Sequence, residues 1–378
     1  MPEFTHPETA AVHAGRRIDP ATGAVTPNIT LSTTFERAED GTRPHGLIYS
    51  RYNNPNRGGL EQALAALEGG KEAFAFASGQ AASTAVLQCL EPGGRVIFPD
   101  DLYLGTRAVA QSFYSRWGLQ TEFADFGDTA GMLKLLAKPA RLVWIETPSN
   151  PQMKVADIAA ISAAARAAGA LVVVDNTFAS PIVQTPLKHG AHLVMHSTTK
   201  YLGGHSDLVG GALIAGADCP AEILTRLRDW QRLGGGVPSP FDCWLLLRSL
   251  STLPVRVRAQ VAAAAELAAW LAAHPQVEKV HYPGLPSHPN HAVAMRQMSS
   301  GGGMLSFEVR GGFEMAKRVT GRVRLITRAT SLGGVESLIE HRKLVEPPDS
   351  PTPPNLIRLS VGLEHVDDLR ADLAQALG

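Results

Sequence analysis

From about residue 57 to 215 the chain alternates between short apolar runs closed by polar residues and segments with helical periodicity. No other feature constrains the fold as strongly, because strands that alternate with helices form crossover units and a mostly parallel sheet covered on both faces. The runs AFAFAS, RVIFPD, RLVWIE, LVVVD and HLVMHS end at Ser78, Asp100, Glu146, Asp175 and Ser197. Between them, Glu61 to Leu67, Gln80 to Leu90 and the stretch carrying Ile158, Ile161 and Ala165 on one face read as helices. Polar residues therefore gather just past the carboxyl ends of predicted parallel strands, the edge where open α/β sheets bind ligands.

Beyond an Ala-rich helix predicted over Val255 to Ala273 the texture changes. MLSFEV, LITRAT and LIRLSV read as strands, separated by helices at Glu314 to Thr320 and Val366 to Leu377, which predicts an α+β domain with a mixed sheet. The stretch EPPDSPTPPN, Glu346 to Asn355, is expected as loop or edge, because proline cannot continue a ladder. With 378 residues and about 150 residues per domain, the expected organisation is an N-terminal arm over residues 1–56 that packs on a neighbouring subunit, a large α/β domain over 57–252, and a C-terminal α+β domain over 253–378.

Charge excludes some partners. The 35 Lys and Arg balance 35 Asp and Glu, so no electrostatic footprint for nucleic acid or an anionic membrane is present. Cys89, Cys219 and Cys243 are widely spaced and odd in number, which supports neither a disulfide framework nor a zinc site. No apolar run reaches the length of a membrane span, and the opening residues carry acids and prolines before any apolar run, so a cytoplasmic protein without a signal peptide is expected. His281, His288 and His291 lie among prolines without carboxylates and are expected on a surface loop, not at a metal. Gly234 to Gly236 and Gly301 to Gly303 lack a nucleotide-loop context and read as hinges or turns.

The segment STTKYLGGHSD, Ser197 to Asp207, follows an apolar strand directly. Burying an ammonium is unfavourable unless it is paired or neutralised. Two fates fit Lys200: an amine that forms a Schiff base with an aldehyde such as pyridoxal phosphate (PLP), or a strand-end lysine that reaches solvent. Asp175, at the end of LVVVD, needs a cationic partner at such depth; a protonated pyridine nitrogen would serve, and a helix N-cap or a metal ligand are the alternatives. SGQAAS, Ser78 to Ser83, is a strand-to-helix turn whose N–H groups suit a phosphate, or simply start a helix.

Taken together, YSRYNNPN (Tyr49 to Asn56), ASGQAA (Ala77 to Ala82), DDLYLGT (Asp100 to Thr106), ETPSNP (Glu146 to Pro151), VVDNTFASP (Val173 to Pro181), the lysine segment, SLGGVESL (Ser331 to Leu338) and LIRLSVGLE (Leu356 to Glu364) resemble the Cys/Met-metabolism family of PLP enzymes, which includes cystathionine γ-synthases, γ-lyases and β-lyases. The resemblance implies a fold-type-I PLP-dependent transferase architecture. It implies Lys200 as the Schiff-base lysine, Asp175 as partner of the pyridine nitrogen and Tyr103 stacked on the cofactor ring, these three being the catalytic set. It places the phosphate on the N–H groups of Gly79 and Gln80, the hydroxyls of Ser197 and Thr199, and Tyr49 and Arg51 of a neighbouring subunit. Arg358, Asn150 and Ser331 are implied to grip the substrate α-carboxylate.

The implied activity is transsulfuration at Cγ of an amino-acid substrate, as a cystathionine γ-lyase or γ-synthase, in a homo-oligomer with shared sites: a dimer at least, and a tetramer. β-Elimination from cystathionine is the alternative, and a non-catalytic binding protein that keeps the fold is a further rival. The missing GxGxxG argues against a dinucleotide-dependent oxidoreductase. Three departures from the family pattern bear on substrate choice: Tyr103-Leu104-Gly105, Thr330 before Ser331, and the loss of the usual Met-Thr/Ser-His segment around Val345, Glu346 and Pro347.

Overall fold

A computed structural model describes residues 4–347 and 350–378. Pro348 and Asp349, inside the proline-rich stretch expected as loop or edge, lie outside the described residues, as do the first three of the chain.

The larger sheet has seven strands: β1 (Glu72–Phe76), β2 (Arg95–Pro99), β3 (Gln120–Ala124), β4 (Leu142–Glu146), β5 (Leu171–Asp175), β6 (Leu193–His196) and β7 (Gly211–Ala215), in the order β1-β7-β6-β5-β4-β2-β3. Only β7 runs against the others, antiparallel to both β1 and β6. The central strands are apolar throughout because both faces are covered. Val173 and Trp144 pack on one side with Phe98 and Leu213, whereas Val172, Val174, Val143 and Ile145 pack on the other with Ile158, Ile161 and Ala165.

A second sheet of five strands holds β8 (Val277–His281), β9 (Met304–Val309), β10 (Thr327–Arg328), β11 (Leu338–His341) and β12 (Leu356–Ser360), in the order β10-β11-β12-β9-β8. The helix Leu253–Ala272 joins the two regions. Its start, Leu253 and Val257, belongs to a core shared with the first sheet, and its later residues Ala264, Leu267 and Leu271 pack beneath the second.

Two expectations are corrected. LITRAT forms only the two-residue strand Thr327–Arg328, since the chain then turns through Ser331, whose φ of 89° lies in the left-handed region and ends any extended run. His281 and His288 are buried, not on a surface loop. Each has a local partner that makes burial tolerable: His281 Nε2 lies 2.7 Å from Glu308 Oε1, and His288 Nε2 lies 3.0 Å from the Met153 carbonyl.

This topology brings three groups of residues to one place. Glu146 and Asp175 end β4 and β5, the segment Ser197 to Lys200 leaves β6, and the helix Gly79–Gln88 starts just after β1. The second sheet adds Arg358 from the middle of β12 and the loop carrying Ser331.

Candidate active site

These elements enclose a cavity of about 300 Å³, lined among others by Gly79, Gln80, Tyr103, Asn150, Asp175, Ser197, Thr199, Lys200, Ser331 and Arg358. Ten of the residues singled out in the sequence therefore meet at one cavity. Tyr49 and Arg51 do not line it. Arg51 instead donates from Nη1 to the Arg232 carbonyl at 2.6 Å, and its guanidinium sits 5.7 and 5.0 Å from the ring centroids of Tyr49 and Tyr52.

Lys200 lines the cavity and is part-buried there. Its Nζ donates to Ser331 Oγ at 2.7 Å. Burial, helped by the nearby positive charge of Arg358, pushes the amine down to about 8, which raises its neutral, nucleophilic fraction near pH 7.

Asp175 is fixed by the Thr177 N–H, 3.0 Å from Oδ1. Burial pushes its carboxyl up, while hydrogen bonds from Thr177 and the charge of His196 pull the other way. A carboxyl so placed at the wall of a cavity is suited to a cationic group inside it.

Opposite stands the start of the helix Gly79–Gln88. The Ser78 hydroxyl accepts from the Ala81 N–H at 3.0 Å, which leaves the cavity-facing first-turn N–H groups of Gly79 and Gln80 without intrahelical acceptors. Gly79 is required here by close approach, since a Cβ would sit 3.0 Å from Ser197 Cβ. Thr199 Oγ1 accepts from the Gly210 N–H at 3.0 Å, and the Ser197 N–H donates to Thr177 Oγ1 at 2.9 Å. Gly79, Gln80, Ser197 and Thr199 thus bring N–H and hydroxyl groups to this end of the cavity, chemistry suited to an anion.

Tyr103 precedes the helix Leu104–Ser112 and remains 49% exposed, so its ring is available as a stacking face. Gly105 leaves it room, because a Cβ there would lie 2.7 Å from Tyr103 Cε1. Arg358 is 4% exposed. Its guanidinium donates to Asn150 Oδ1 at 2.9 Å, the Ser331 carbonyl at 3.1 Å and Glu340 Oε2 at 3.0 Å. Burial, reinforced by Arg342, pushes it down to about 10, against the pull of Glu340. It still carries its charge at neutral pH and presents a planar fork for a carboxylate.

Glu146, Glu340 and Arg342 were not singled out as site residues in the sequence. Glu146 accepts the Tyr103 N–H at 3.0 Å, and Arg342 bonds the same Glu340 oxygen that Arg358 uses. A signal for Glu146 was present, a carboxylate closing a buried strand as Asp175 does. For Arg342 the signal was the altered segment after SLGGVESL.

Comparison with known proteins fits this geometry. Residues 8–378 match the family described as Cys/Met metabolism PLP-dependent enzyme. The chain is 45% identical over 378 residues to a cystathionine gamma-synthase of Mycobacterium bovis, covering 98% of this chain and 97% of that one. It is 44% identical over 377 residues to a cystathionine gamma-lyase of Dictyostelium discoideum (98% and 97%) and 41% over 382 residues to a cystathionine beta-lyase of Coxiella burnetii (99% and 98%). The crystal structure of metB from Corynebacterium glutamicum superposes with a TM-score of 0.96 at 40% identity, over 100% of this chain and 99% of that one.

Proposed function

The chain belongs to the family of Cys/Met metabolism PLP-dependent enzymes, and from that premise we propose that it is a transsulfuration enzyme acting at Cγ of an amino acid, as a cystathionine γ-synthase or γ-lyase. The observation that carries the reading is the convergence of Lys200, Asp175 and Arg358 on one cavity. The residues fit PLP: N–H and hydroxyl groups suit its phosphate, a carboxyl at the cavity wall suits its ring nitrogen, and an amine whose pKa burial lowers to about 8 suits its aldehyde.

When bound, the cofactor supplies that aldehyde for the substrate amine and a ring that takes up electron density from Cα. The chain's own residues do the rest. Gly79 and Gln80 N–H groups with Ser197 and Thr199 hold the phosphate, joined by Tyr49 and Arg51 of a neighbouring subunit. Tyr103 covers the ring face, and Asp175 keeps the ring nitrogen protonated. Arg358, with Asn150 and Ser331, holds the substrate α-carboxylate and so fixes which bond at Cα faces Lys200. Lys200 would take the Cα proton, give it up to the electron-rich system that the cofactor supplies, and so freed take a Cβ proton, which can pass to the sulfur or acyloxy group as it leaves Cγ.

Cystathionine β-elimination is the second reading, favoured by Thr330, a small residue at the cavity wall, and by the β-lyase relative. Product analysis separates the readings: cystathionine cleavage yields cysteine with 2-oxobutanoate for γ-elimination, or homocysteine with pyruvate for β-elimination. An activated homoserine plus cysteine yields cystathionine for a synthase. Absence of all these products from PLP-loaded protein would overturn both. The organisation we favour is a cytoplasmic homo-oligomer, built of the arm and two domains laid out above, with dimeric sites and assembly to a tetramer. No helix among the described residues is long and apolar enough to cross a membrane.

A further inference from the structure

One buried titratable group at the cavity has no part in the mechanism above. Glu146 closes β4 and is the register partner of Asp175 on the adjacent parallel strand β5. Both carboxyl groups line the same cavity. The charged groups that act on Glu146 are both anionic, Asp175 from β5 and Asp101 from the loop after β2.

The cations nearby are committed elsewhere. Arg358 and Arg342 share Glu340, and Arg342 also pairs with Glu346. Lys200 donates to Ser331. Lys154 pairs with Asp100 and Asp125 and acts on Asp101, whose carboxyl also accepts the Ser149 hydroxyl. Two carboxyl groups side by side in such a site do not both ionise, and one of them holds a proton.

Asp175 is the better anion. It receives hydrogen bonds from Thr177 and feels the charge of His196. Glu146 receives backbone hydrogen bonds from Tyr103, 3.0 Å from Oε2, and from Asn150, but where Asp175 feels a cation it meets the anionic Asp175 and Asp101. We propose that Glu146 is a positioning residue that works as a neutral carboxylic acid: one oxygen anchors the backbone of Tyr103 over the cavity, and its lack of charge leaves Asp175 the sole anion for the cofactor's ring nitrogen. The second half of this claim rests on the reading of Asp175 given above.

The PLP-loaded enzyme tests it through properties of the bound cofactor. Glu146→Gln copies the neutral acid in shape and keeps an acceptor for Tyr103, so the pH midpoint of the cofactor's visible absorbance is expected to stay where it is in the wild type. Infrared difference spectra of the wild type should contain a protonated-carboxyl stretch that Glu146→Gln removes. Glu146→Ala strands the Tyr103 N–H, and the cofactor's Kd is expected to rise about tenfold, with Gln restoring it.

A midpoint moved by about one unit or more in Glu146→Gln would mean that a negative charge had been removed, and would overturn the neutral acid. An unchanged Kd in Glu146→Ala would overturn the anchoring of Tyr103. Asp175→Asn separates this proposal from the reading beneath it. If that variant keeps the wild-type cofactor spectrum and Kd, the ring-partner role of Asp175 falls, while the infrared band and the Gln-versus-Ala comparison still decide the state and anchoring role of Glu146.

Discussion

Ser331 ties Lys200 to Arg358: its hydroxyl accepts from Lys200 Nζ at 2.7 Å and its backbone carbonyl accepts from Arg358 Nη2 at 3.1 Å. It does so from a left-handed backbone, φ 89°, which costs a non-glycine residue about 1 kcal/mol or more. The lysine comes from the large sheet and the arginine from the small one, so this one strained residue bridges the amine proposed to move protons and the guanidinium proposed to bind a carboxylate.

Lys200 should carry the cofactor, and Lys200→Ala should abolish turnover. Its amine is pushed down to about 8 by burial, so the neutral form that attacks an aldehyde is already present near neutrality and becomes dominant as pH rises past that value. Cofactor-free protein mixed with PLP should therefore form the visible-absorbing adduct at a rate that climbs with pH around a midpoint of about 8 and then levels. A rate still climbing toward the range of ordinary lysines, or peptide mapping after borohydride reduction that finds the pyridoxyl group on another lysine, would remove Lys200 from this role.

Asp175→Ala should lower turnover far more than cofactor content, because the role proposed for it is to keep the ring nitrogen protonated while the phosphate is held elsewhere. Loss of a preorganised charge of this kind costs about 10²-fold or more in kcat. The measurement is kcat per bound PLP, and a value near wild type would exclude Asp175 from the chemistry.

Arg358→Ala should raise KM for amino-acid substrates by about 10- to 100-fold, the worth of a charge-assisted hydrogen-bonded pair, and leave the cofactor's absorbance intact. Glu340 keeps Arg342 as a partner in this variant, so the site does not gain an unpaired buried carboxylate. Lost cofactor with unchanged substrate binding would contradict the assignment.

Much of this site was legible in the chain because each strand-end motif carries its own chemistry. An apolar run closed by Asp175 or followed by Lys200 marks a buried strand edge whatever the neighbouring strands do. The place of Lys200 on the cavity wall favours the first of the two fates that spacing alone left open, an amine available to an aldehyde. The role proposed for Glu146 was not legible, since it arises from the register of β4 against β5, which pairs Glu146 with Asp175, 29 residues further on, and is absent from either strand alone. The strands that escaped the sequence reading fail for local reasons. β3 is half-polar at the sheet edge, and β7 follows Gly210, begins at Gly211 and runs against its neighbours. β8 and β11 mix charged or polar residues into four or five positions. The buried histidines were misplaced because their partners, Glu308 and the Met153 carbonyl, are distant in sequence.

The last prediction concerns assembly. Within one chain Arg51 bonds the Arg232 carbonyl and packs on Tyr49 and Tyr52, and neither Tyr49 nor Arg51 lines the cavity. An arm serving its own subunit would keep Arg51 there; an arm serving a neighbour would carry it to the phosphate cradle of the other site. A phosphate bears about two negative charges, so an arginine lent by a neighbour would couple cofactor retention to assembly. Arg51→Ala and Lys200→Ala chains are each expected to be poorly active or inactive alone. A co-expressed heterodimer contains one site with Lys200 from one chain and Arg51 from the other, so its activity should rise above that of both parent homodimers. If both parents fold and assemble and the purified heterodimer shows no such rise, Arg51 does not complete a neighbour's site, and the shared-site dimer is wrong.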